Sequence, residues 1–355
     1  MTSLSFNDFY FFLNPVWFLS GLWIFFFKMN SNFNKISSEK SSHINIIKIN
    51  SNKTFIGFYY YLIFFNIMYI YTLHGKNLLL WFSHFNINNF TISLLYFFLL
   101  VSFTIYFLLN SLTKKSNLFK SIDYLFSLNN LILILPYLFF VNTVFTFLFL
   151  LELISVVLLY KLISSKIWFK NFDPTKYLNN SIPQNYINMV FFQYWVTFFS
   201  TIFIVYFYIN IFYIYGTSDW FLIQFLHKFE IENQMASTNM IRLLISIFLI
   251  SIFFKLGITP LHLFKVEVYK GIPFLSIFFY TTYYFIIFFI FFIFFLLDFL
   301  SLFVIQYYAF LVFIIFVGIL YVMVLLFDVN LLKAFFTYST IINTIGFMIS
   351  FITLL

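Results

Sequence analysis

Two charged residues of this chain stand where charge is expensive. Glu152 lies in LFLLELISVVLLYKLI, and Lys255 lies near the end of an apolar run that leads into FKLGITPLHLFKVEVYKGIPF at 254–274. A lysine at the centre of a bilayer costs ~2.5–3.5 kcal/mol on insertion scales, so an intramembrane charge points to function. A carboxylate withdrawn from water finds a partner or takes up a proton, which suits Glu152 to a proton relay; the competing role is a structural glutamate bonded to a neighbouring helix. Lys255 can release and regain a proton, against the alternative of a lysine that snorkels to the nearer interface. Gly257 and Pro260 follow at once and predict a break in the helix, which frees backbone carbonyls beside the charge. Broken helices of this kind build the ion pathways of coupled membrane proteins. His262 comes after the break, either as a proton carrier or as a hydrogen-bonded structural residue. His43, His74, His84 and His227 fall in loops without metal-ligand spacing, and there is no cysteine, so no metal is expected on this chain. No phosphate-cradling loop, nucleophile triad or dinucleotide fingerprint is present. Any redox or nucleotide chemistry is therefore expected on other polypeptides.

The elements that hold these residues follow from composition. The chain has 355 residues, of which 63% are hydrophobic and 8% charged, against about 25% charged in soluble proteins. Phe supplies 63 residues and Tyr 26; this excess, with few Ala, Arg and Gly, is read as coding drift in an AT-rich organelle genome. Runs of ~20 apolar residues span the hydrocarbon core. About ten are predicted, at 9–27, 55–72, 91–109, 124–141, 144–162, 188–214, 240–258, 273–297, 302–326 and 334–354. All should be helices, because an isolated strand leaves its backbone unsatisfied in lipid. The fold class expected is an all-α membrane protein, a single transmembrane domain over 1–355 with its seventh helix broken.

Basic residues give the orientation. Loops at 28–54, 110–122, 161–187, 259–272 and 327–333 fall on one side and carry fifteen lysines, while the opposite loops carry Lys76 and Lys228, with Arg242 at a helix edge. Positive charge collects on the inner side. The lysine-rich side, including the polar loop 28–54, is therefore expected to face the matrix, with the N-terminus in the intermembrane space. The net charge of +8 is explained by this asymmetry, and no nucleic-acid partner is expected. The first apolar run, 9–27, lacks the basic lead and cleavage site of a removable signal.

With these residues in place, the run KLGITPLHLFKVEVYKGIPFLS at 255–276 resembles the signature of the subunit 2 family of NADH dehydrogenase, antiporter-like membrane-arm subunits of respiratory complex I. LELISVVLLYKL at 151–162, with Tyr160, is similar to that family's fifth helix, and DVNLLKAFFTYSTIINTIGFMI at 328–349, with Lys333, Tyr338, Ser339, Thr340 and Ile341, to its loop into the tenth. The resemblance implies an antiporter-like fold in the mitochondrial inner membrane. It implies proton translocation by Glu152, Lys255 and His262, with membrane-arm subunits and lipids as partners.

The departures are as informative. Where the family has a lysine in its sixth helix, Gln193 stands here, and where it has a central lysine in the eighth, Phe285 stands here. No Lys, Arg or His occurs between Lys270 and Lys333. Polar Gln193, Thr281 and Thr282 are the candidate relay groups, able to hold water but not to store a proton. The family's later helices have no counterpart up to Leu355, so a separate chain completing the bundle is an expected partner. Three readings result: a proton-translocating complex I subunit, a scaffold of that membrane arm that has lost its channel, and a stand-alone cation/proton antiporter.

Overall fold

The computed structural model of the protein describes Tyr71, Gly75 and residues 77–113, 122–165, 182–232, 238–259, 261–272, 274–299, 308–327, 329 and 332–354. The expected spans 9–27 and nearly all of 55–72, the loop 28–54, the loop residues 114–121 and 166–181, His43, His74 and Pro260 lie outside the described residues.

The described chain is mostly helical. After a small antiparallel hairpin, β1 (Leu78–Leu80) with β2 (Phe85–Ile87), come α1 (Asn89–Thr113) and α2 (Ile122–Ile134), the latter tightening into a 3-10 turn at Leu135–Phe140. Then follow α3 (Val144–Ser165), α4 (Ile182–Tyr215), α5 (Trp220–Glu232) and α6 (Thr238–Leu256). A short α7 (Leu263–Gly271) leads to α8 (Phe274–Phe279), a π-helical turn at Tyr280–Tyr284, α9 (Phe285–Phe299), α10 (Tyr308–Phe327) and α11 (Leu332–Leu354). Among the described residues, three helices are long and apolar enough to cross a membrane: Val144–Ser165, Tyr186–Tyr215 and Ser276–Phe295. Only helices and closed barrels satisfy their backbone in lipid, and the two-strand hairpin is far too short for a barrel.

The chain divides into two compact units, one of 1–141 with 163–172 and one of 142–162 with 173–355. In the first, β1 pairs with β2 in the register Leu78↔Ile87 and Leu80↔Phe85, and Phe98 of α1 stacks on Phe139 of the 3-10 turn at 5.2 Å. Pro136 in the first turn of that 3-10 segment has no amide hydrogen to donate, which favours a new helical start there over continuation of α2.

The second unit holds all the candidate residues. Its core is an aromatic cluster drawn from five helices: Phe147 (α3), Phe207 (α4), Trp220 (α5), Phe248 (α6) and Phe295 (α9). Phe207 lies 4.5 Å from Phe248, and Trp220 meets Phe295 edge-on at 4.6 Å. Such offset and edge-on pairs add about 0.5–1.5 kcal/mol each beyond simple burial. The Phe-rich composition thus fixes helix positions where rings interlock, and elsewhere it coats outer faces. Helix α4 is apolar all round and leaves Phe191, Tyr194, Phe198 and Ile202 exposed along its length, the pattern of a helix bathed in lipid or subunit contacts.

Two connections expected as loops contain helices. The 215–239 segment carries α5, anchored by the buried Trp220. The 259–272 segment carries α7, packed between α4 and α11 with Phe264, Lys265, Val268 and Tyr269 buried. The charges of FKVEVYK hid a helical stripe: positions 264, 265, 268 and 269 recur at helical spacing, while Glu267 and Lys270 pair on the other face. Lys161 and Lys265, counted among the loop lysines, are buried in this unit.

Candidate proton-relay site

The site begins with the way α6 ends. Gly257 adopts φ +64°, a left-handed conformation that suits glycine. Its amide donates to the carbonyl of Phe254, and the Ile258 amide reaches back to Phe253. This paired pattern is a Schellman stop, and it terminates α6 at Leu256 without help from any side chain. The chain resumes as a helix at Leu263, after the Leu261 amide has bonded to the carbonyl of Ile258 and with His262 at the N-cap position. Among the described residues the interruption thus takes in 257–259 and 261–262; of the two residues expected to make it, Gly257 has a visible mechanism, and Pro260 lies outside the described residues.

Lys255 sits in the last turn of α6. Carbonyls at a helix C-terminus lack intrahelical donors and carry the negative end of the helix dipole, so a cation there is favoured. The Lys255 side chain is buried, and its ammonium lies 3.8 Å from Oε1 of Glu152 on α3, whose side chain is 41% exposed. That distance is too long for a direct hydrogen bond but well within charge contact, and it leaves room for small movements to make or break the bond. The structure therefore brings together two residues that the sequence singles out separately.

His262 is fully buried, with its ring edge-on to Tyr321 of α10 at 5.6 Å. Gly318, one turn earlier on α10, makes the approach possible: a Cβ there would lie 2.0 Å from Oγ1 of Thr259, in the middle of the break. Gln193 is buried on α4, and its Oε1 has no hydrogen-bond partner among the described residues. Thr281 and Thr282 turn back onto their own helix and donate to the carbonyl of Phe278, at 3.1 and 2.7 Å. They satisfy the π-turn, with Tyr280 stacked on Tyr284 at 4.9 Å. The candidates thus divide into a charged pair, a histidine across the break, two threonines bonded to their own helix, and a buried glutamine.

Three further lysines take part in ways the sequence reading missed. Lys265 of α7 donates from Nζ to the carbonyl of Leu256 at 3.3 Å. Lys333 of α11 donates to the carbonyls of Lys270 and Ile272 at 3.2 and 2.8 Å, at the other end of α7. Lys161 of α3 places its ammonium 3.4 Å from the ring centre of Phe279, a cation–π contact. Each cation answers an electron-rich group exposed by a helix end or an aromatic wall. The available sequence signal is the helical period of FKVEVYK and the position of Lys161 in the continuing period of its span.

A second polar cluster lies where the end of α4 meets α5. The Tyr215 hydroxyl donates to Glu230 at 3.2 Å and lies 3.2 Å from Nδ1 of His227, whose ring is buried on α5. Burial, with the positive charge of Arg242 adding to it, pushes His227 down to about 4. An unfolded histidine titrates near 6.5, so the unfolded state binds more protons between these values. The stability contributed by neutral His227 is complete above pH 6.5 and falls as pH drops toward 4. Amide exchange in α5, corrected for intrinsic rates, should therefore speed up on acidification through this window, and His227→Gln should remove the dependence. Unchanged protection of α5 at pH 5 in the unaltered protein would contradict this.

No family model matches the chain. It is similar to the protein described as "Uncharacterized mitochondrial protein ORF4" of Paramecium tetraurelia, with 38% identity over 71 residues. That match covers 20% of this chain and 46% of the relative, so the chain spans less than half the length of the curated relative it matches.

Proposed function

We propose that this chain is a membrane-arm subunit of the proton-translocating NADH:ubiquinone oxidoreductase, complex I, in the mitochondrial inner membrane. The observation that carries the reading is the contact between Lys255 and Glu152 at the broken end of α6. It unites a protonatable base, an acid and an interrupted helix within one helical unit. The residue order of 255–276, with its resemblance to the subunit 2 family, supports the reading, as does the mitochondrial description of the relative. In this reading the protein is a multi-pass member of an antiporter-like bundle, with its lysine-rich loops in the matrix. Flavin and iron–sulfur chemistry belongs to partner subunits.

The mechanism follows from electrostatics. With Glu152 close, the ammonium of Lys255 is compensated by the carboxylate. If a conformational change in the arm draws the two apart, the charged form of each becomes more costly in low dielectric, and a proton leaves the lysine or joins the glutamate. The break at 257–262 is the place where such a movement can occur without shearing a continuous ladder of hydrogen bonds. A scaffold role is the second reading, favoured by the absence of any Lys, Arg or His between Lys270 and Lys333.

Antibody capture of this chain from mildly solubilised mitochondrial inner membranes tests the assignment. NADH-oxidising activity and the flavin-bearing subunits should be recovered together with it. Recovery of the chain in a particle free of NADH dehydrogenase activity would refute the assignment.

A further inference from the structure

Lys265 has no place in the pair just described, yet it is among the most deeply buried large side chains of the protein, at 2% exposure. It reaches from α7 back across the break, and its Cδ would lie 3.1 Å from a Cβ placed on Gly257. Its ammonium bonds to the carbonyl of Leu256, the residue next to Lys255. On its other side the ammonium faces the ring of Phe285, 4.8 Å from the centre. One buried ammonium thus caps the end of α6 from beyond the break, at the carbonyl of the residue that follows the other buried lysine in sequence.

We propose that Lys265 is a second proton-binding site of this protein, coupled to Lys255 through the broken end of α6. This rests on the proton-translocating reading given above and deepens it. The carbonyls and dipole at the end of α6 favour a cation, and a second ammonium brought toward that end is opposed by the first. Protonation of one lysine thus favours release of a proton from the other. Other charges near α7 are already committed. Glu267 pairs with Lys270 on the opposite face, Lys333 is bonded at the far end of α7, and α4 carries no charged residue. The phenol of Tyr280 on the π-turn packs against Tyr269. Glu152 is bound to the Lys255 side of the break. Phe285 is the position at which the family resemblance leads one to expect a lysine, so Lys265 brings an ammonium group from another helix to that neighbourhood.

The test uses the assembled complex reconstituted in liposomes, with NADH-driven proton movement read by a pH-sensitive dye. Lys265→Arg keeps the charge and the donor to Leu256, but a guanidinium holds its proton at every working pH. The expected result is normal assembly of Lys265→Arg with proton movement reduced roughly tenfold or more. Lys265→Gln should show a comparable loss in whatever complex it forms. Normal transport by Lys265→Arg overturns the proposal, as does failure of both variants to enter the complex, which would make Lys265 a structural anchor. Lys255→Met serves as the reference. Impaired Lys255→Met beside normal Lys265→Arg sinks the second site alone, whereas normal transport by Lys255→Met sinks the proton-translocating reading itself.

Discussion

Lys255→Met should lower proton transport by the assembled complex by roughly two orders of magnitude, the scale on which a positioned proton-transfer group acts, while assembly falls little. Glu152→Gln should do the reverse in part: a milder transport defect and a larger loss of stability. The asymmetry comes from burial. Removing Lys255 leaves a carboxylate whose side chain is 41% exposed and so less enclosed by this chain than the ammonium. Removing the charge of Glu152 leaves an ammonium that is nearly closed off, with only the helix end to compensate it. Breaking a fully buried pair costs about 3–5 kcal/mol, and a partner left behind that can become neutral lowers that cost. The double variant Lys255→Met with Glu152→Gln should recover stability but not transport. Thermal melting in detergent and dye-monitored proton uptake in liposomes separate the two quantities. Transport by Lys255→Met within twofold of the unaltered protein would mean that the pair is structural.

The second large effect is expected at Gly318. A Cβ there would lie 2.0 Å from Oγ1 and 2.5 Å from Cβ of Thr259. Those atoms form the short side chain of Thr259, whose Cβ is fixed by the backbone, so they cannot swing away as the tip of a long side chain would. Overpacking of a filled site costs about 1–3 kcal/mol, and here it also pushes α10 off His262, whose ring packs on Tyr321. Gly318→Ala should therefore lower the melting temperature and the yield of assembled protein. Thr259→Gly, which deletes Oγ1 and Cβ together with Cγ2 at 3.1 Å, should restore much of both in the double variant. A Gly318→Ala protein that melts with the unaltered one would show that α10 does not press on the break.

The sequence by itself determined the membrane character, the helical class and the place of the break. These are local properties: lipid admits only chains that satisfy their own backbone, and a glycine able to take a left-handed φ, as Gly257 does, favours a helix end. The same locality explains where the reading of loops went astray. Charges in 259–272 and 215–239 look like solvated connections, yet α7 and α5 form there because Tyr269 and Trp220 find buried seats that only the assembled helices create. Glu152 and Lys255 are each conspicuous in an apolar run, but that α3 and α6 lie close enough to pair them is a fact of packing. Lys161 and Lys265 are ordinary lysines in the sequence and become buried cations because an aromatic wall and a free helix end stand opposite them. Gly318 has no turn to explain it and acquires its reason solely from Thr259, which the fold carries to it. Composition and period are written along the chain, whereas the partner of a charge is chosen by tertiary packing, since in low dielectric its energy depends on what lies within a few ångströms in space.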